Sequence, residues 1–151
     1  MLNRRQYLMT VALLAGMSGN SQSLMLDDSR DLQGSWEIIS LETNGEKKAA
    51  AEQDLISLIV EGDQMWGVKA GGPDPKVKFR LDPSKTPKGL DLTIQEGQDQ
   101  GKVVLGIYDL QGDDLRLCIS IFGEASRRPS EFKTQERDGI GFVTLKRMKA
   151  K

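Results

Sequence analysis

From Trp36 onward, apolar residues recur at every second position in short runs separated by turn signals. Val77, Phe79 and Leu81 share one parity, while Lys76, Lys78 and Arg80 share the other. Leu90, Leu92 and Ile94 alternate with Asp91, Thr93 and Gln95, and Val103, Leu105 and Ile107 form a further row. Leu115, Leu117, Ile119 and Ile121 alternate with Asp114, Arg116, Cys118 and Ser120. A period of two marks strands with one dry and one wet face. Runs at 36–41, 56–60, 64–69 and 141–147 complete the set, and Gly62-Asp63, the 97–101 stretch and Gln111-Gly112-Asp113 supply tight turns. Ala49 to Leu55 lacks strand character and reads as a short helix. The pattern predicts an all-β fold of about eight antiparallel strands with short connections, closing into an up-and-down barrel. A two-sheet sandwich is the competing architecture.

Parity also predicts what points inward: Ile38, Val77, Phe79, Leu81, Leu92 and Ile94, then Val103, Leu105, Ile107, Leu117, Ile119, Val143 and Leu145. Trp36 shares a parity with Ile38, and Arg147 with Val143 and Leu145. A closed up-and-down barrel makes its first and last strands neighbours, so Arg147 is expected over the Trp36 indole, with Gly34 just ahead of it. A desolvated cation–π contact contributes about 2 kcal/mol. A buried guanidinium also needs acceptors for its remaining donors.

The first 23 residues differ in kind. Arg4-Arg5 precede an apolar run from Leu8 to Met17, and small polar residues follow to Ser23. This is the order of an export signal. Its two arginines fit either twin-arginine or ordinary secretory export. The run is shorter than the roughly 20 residues a membrane helix needs. The expected organisation is a signal at 1–23, a short tether at 24–30 and one barrel domain at 31–151. The product is exported, periplasmic or secreted, monomeric, and without a membrane span after processing.

Composition narrows the function. Lys+Arg number 21 and Asp+Glu 22, with no clustered basic face of the kind nucleic acid requires. There is no histidine, which removes the commonest general base and most transition-metal sites. The single cysteine, Cys118, permits no internal disulfide and reads as a strand thiol. The acid pairs Asp27-Asp28 and Asp113-Asp114 point apart on an extended chain and cannot flank a scissile bond. No catalytic residue, metal site or cofactor is expected.

Several longer motifs resemble a bacterial family of small exported lipocalin-like, or calycin-type, domains of unknown function. They are Asp31-Leu32-Gln33-Gly34-Ser35-Trp36-Glu37, Leu81-Asp82-Pro83-Ser84-Lys85-Thr86-Pro87-Lys88, Leu90-Asp91-Leu92-Thr93, Gly106-Ile107-Tyr108-Asp109-Leu110 and Arg128-Pro129-Ser130-Glu131-Phe132. The resemblance implies a lipocalin-like barrel whose Trp36 and Arg147 close one end. By fold analogy it implies a small apolar ligand, and Phe79, Leu81, Leu92, Leu105, Ile107 and Leu117 are the candidate cavity lining. The alternative is a filled barrel that binds another exported protein through its loops, with Lys85, Lys88, Arg127 and Arg128 as candidate contacts. Eight strands are just wide enough for either arrangement.

Overall fold

The computed structural model describes residues 23–120 and 127–149, so all of the expected export signal except Ser23 lies outside the described residues, as does Ile121. The strands are β1 (Gly34–Thr43), β2 (Glu46–Ala49), β3 (Leu55–Glu61), β4 (Gln64–Lys69), β5 (Gly72–Pro73), β6 (Val77–Asp82), β7 (Lys88–Ile94), β8 (Val103–Gln111), β9 (Asp114–Ser120) and β10 (Ile140–Arg147). Eight of them form a closed antiparallel ring in chain order, because β10 pairs back onto β1. β2 adds to β1 and the short β5 to β4, both outside the ring. The expected helix after the first strand is a single 3₁₀ turn, Ala50–Glu52.

Closure follows the expected register. Trp36 pairs with Arg147 and Ile38 with Leu145. Inside, Trp36, Ile38, Val60, Met65, Phe79, Leu81, Leu90, Leu92, Tyr108, Leu115, Leu117 and Leu145 form one buried cluster. Burying such side chains contributes about 1.5–3 kcal/mol each.

Three features depart from the sequence reading. Residues 23–32, which take in the expected tether at 24–30, are helical (α1). Met25, Asp28, Ser29 and Leu32 are its more buried positions, a helical stripe laid against one end of the barrel. The parity of β8 is reversed. Val104 pairs with Leu92, Gly106 with Leu90, and Tyr108 with Leu117, so the even-numbered residues face in. Val103 is 44% exposed, and Leu105 and Ile107 lie on the outer face. Finally, β1 and β3 each carry an irregularity, at Ile39 and Ile56. Each inserts one residue and swaps the inward parity beyond it, as bulges near barrel rims do. Leu41 and Leu55 thereby face in, and Ile39 and Ile56 are left exposed.

Candidate functional site: a sealed floor and an open mouth

The barrel has two unlike ends. One is gathered by the start of β1, the end of β10 and the β3–β4, β6–β7 and β8–β9 connections. Here the Arg147 guanidinium lies 4.3 Å from the Trp36 ring. Its donors reach the carbonyls of Gln33, at 2.8 Å, and Asp31, and the Asp113 carboxylate at 3.1 Å. The Trp36 indole N–H donates to Leu32 O at 2.9 Å. Gly34 has φ +119, a conformation that L side chains rarely adopt. Each group the cation–π pair desolvates thus has a polar partner, as expected.

α1 completes this floor. Asp28 accepts from the Tyr108 hydroxyl at 2.6 Å and from Lys88 Nζ at 2.9 Å. Burial, reinforced by the Asp28 carboxylate, pushes the Tyr108 phenol well above its ordinary range. An acid expected in a tether therefore serves as a latch between helix and barrel.

The outer face of β8, β9, β10 and β1 is covered by the 127–139 segment. Arg128 donates to Gly106 O at 2.8 Å, Leu90 O at 3.3 Å and Asp91 Oδ1 at 2.7 Å. Gly89 makes room for it, since a Cβ there would stand 3.0 Å from Arg128 Nη1. Cys118 is fully buried and its thiol donates to the carbonyls of Glu131 and Lys133. Burial pushes this thiol up to about 11. Thr134 N donates to Glu42 Oε2, and Phe132 packs on Phe142 with ring centroids 6.0 Å apart. This cover explains why Ile107, the cross-strand partner of Cys118, is buried without facing inward.

The four candidate loop cations do not form one surface. Lys88 is held by Asp28 at the floor, and Arg128 is engaged by Leu90, Gly106 and Asp91 on the barrel wall. Arg127 is exposed. Lys85 and Arg128 do meet beside Gly89, in an outer groove of about 550 Å³ with Arg80, Asp82, Ser84 and Asp91. Its acids are already engaged, Asp91 by Arg128 and Asp82 by Ser84, whose hydrogen bonds hold the Asp82 carboxyl below its ordinary range.

The opposite end is open. A cavity of about 540 Å³ lies there, within the size range of small-molecule sites. Leu41, Leu55, Ile119 and Val143 supply its apolar wall. Lys48 approaches from β2 and Glu52, Gln53 and Asp54 from the β2–β3 connection, and Lys69 pairs with Asp74 across 3.2 Å at the edge. None of the six expected lining residues borders this cavity. Phe79, Leu81, Leu92 and Leu117 are packed into the filled core, and Leu105 and Ile107 lie on the outer face. Ile119 and Val143, expected to point inward, do line it. Sequence reasoning missed Leu41 and Leu55, because only the bulges turn them inward.

Neither a protein-family model, nor a curated protein, nor a solved structure matches the chain.

Proposed function

We propose that this protein is an exported, non-enzymatic, lipocalin-like barrel that binds a small apolar molecule in its open mouth. The observation that carries the reading is the mouth cavity, with aliphatic side chains on its wall and charged side chains from β2, β4 and the adjoining connections around it. A few polar groups around an apolar hollow is the usual composition of a small-molecule site. The sealed floor supports the same direction of access, since Trp36, Tyr108 and α1 leave the ligand one way in. The filled lower core limits the ligand to the upper part of the barrel.

The test is a titration of the purified protein, lacking residues 1–23, with phenylnaphthylamine, a neutral fluorophore that brightens in apolar surroundings. Saturable enhancement is expected, and it should be strongly reduced in Leu41→Asp. No saturable enhancement overturns the reading and favours a filled barrel that acts through its loops.

A further inference from the structure

The mouth contains an acceptor with nothing to accept. Gln53 lines the cavity. Its Nε2 donates to Lys48 O at 2.8 Å and to Ala49 O at 3.1 Å. Two carbonyl neighbours fix the amide orientation, because only the nitrogen can donate to them. Oε1 is therefore the free end. It is shut off from solvent and has no hydrogen-bond partner among the described residues. Buried acceptors in folded proteins are nearly always satisfied, so an orphan beside a cavity points to a missing donor.

The charges around it agree. The side chains bordering the cavity include three acids, Glu52, Asp54 and Asp74, against two lysines, Lys48 and Lys69. Lys69 is already paired with Asp74, which leaves Lys48 facing Glu52 and Asp54. An anionic head group would enter a slightly acidic rim and meet an amide oxygen that repels it.

Resting on the proposed binding role, we infer that the ligand is an aliphatic molecule whose head group donates hydrogen bonds, an alcohol or an amine, and that Gln53 Oε1 receives it. Gln53 directly follows the 3₁₀ turn Ala50–Glu52, which has no buried residue of its own. On this inference, an outward shift of this turn opens Oε1 to the cavity. Weakly anchored exposed turns are the cheapest parts of a fold to displace.

The experiment displaces bound phenylnaphthylamine from the wild-type protein with decanol, decylamine or decanoate at neutral pH. All three carry the same tail. Decanol or decylamine should compete about tenfold better than decanoate, the scale of one hydrogen bond gained against one acceptor left opposed. If decylamine leads and its advantage shrinks in high salt, the acids assist and the head is an ammonium; equal, salt-independent competition by decanol points to a neutral donor. Gln53→Met, with each competitor referred to that variant's own dye affinity, should erase the preference for decanol over decanoate. Decanoate competing as well as or better than decanol overturns the inference while leaving the binding role intact. Absence of dye binding removes the binding role, and the inference falls with it.

Discussion

The floor and the mouth of this barrel are built from the same strands yet solve opposite problems. At the floor the buried side-chain polar groups among the described residues have partners: the Trp36 indole finds Leu32 O, Arg147 finds two carbonyls and Asp113, and Tyr108 finds Asp28. At the mouth the strands diverge at two bulges, the wall is aliphatic, and an amide oxygen is left over. On the proposed reading, stability is concentrated where satisfaction is complete, and ligand chemistry where it is not. The difference teaches where to look for function in a small barrel whose core is already full.

The sharpest way to break this comparison is at the floor itself. Trp36→Ala removes the largest fully buried side chain, and should lower unfolding free energy by about 3–5 kcal/mol in a urea titration. A wild-type midpoint would mean that the floor is not the stability centre. Asp28→Ala comes next. It strands the Tyr108 hydroxyl and Lys88 together, and a loss of about 1–3 kcal/mol is expected. Increased proteolysis within residues 23–32 should accompany it, since α1 loses its latch.

Alkali sharpens the contrast further. Tyr108 and Cys118 both ionise at higher pH in the folded chain than in an unfolded one. A raised folded-state value means that the folded chain holds its proton longer. The stabilisation is therefore whole below the ordinary thiol value of 9.0 and is lost as pH rises towards about 11. The unfolding free energy should fall over that window, by up to about 1.4 kcal/mol per pH unit for each proton held. A flat profile would contradict the burial of both groups. The smallest effect belongs to the mouth. Asp74→Asn breaks a half-exposed ion pair with Lys69, and its stability cost should stay within about 1 kcal/mol. A larger loss would show that the mouth, too, holds the fold together.

The sequence was most legible where one face of a strand is wet. Val77, Phe79 and Leu81 on β6 alternate with exposed Lys78 and Arg80, and their inward placement could be read directly. The Trp36–Arg147 contact was legible because closure of an up-and-down barrel makes the first and last strands neighbours. β8 was not legible. Val103-Val104-Leu105 is apolar at both parities, and the 127–139 segment covers Ile107 on the outer face, so alternation carried no direction. α1 was hidden by its length and polar content, although Met25, Asp28 and Leu32 stand at helical spacing. The mouth was hidden for a third reason. A bulge is a one-residue event in pairing, and nothing in the local run around Ile39 or Ile56 announces it. Phe79, Leu81, Leu92 and Leu117 were therefore placed one layer too deep, in side chains that fill the core.

Amide chemical-shift mapping during titration with phenylnaphthylamine tests the two-ended account most directly. The account predicts saturable shifts around Leu41, Gln53, Leu55, Ile119 and Val143, with Trp36, Tyr108 and the residues of α1 unmoved. Shifts centred on Trp36 and Tyr108, or spread evenly through the barrel, would contradict it.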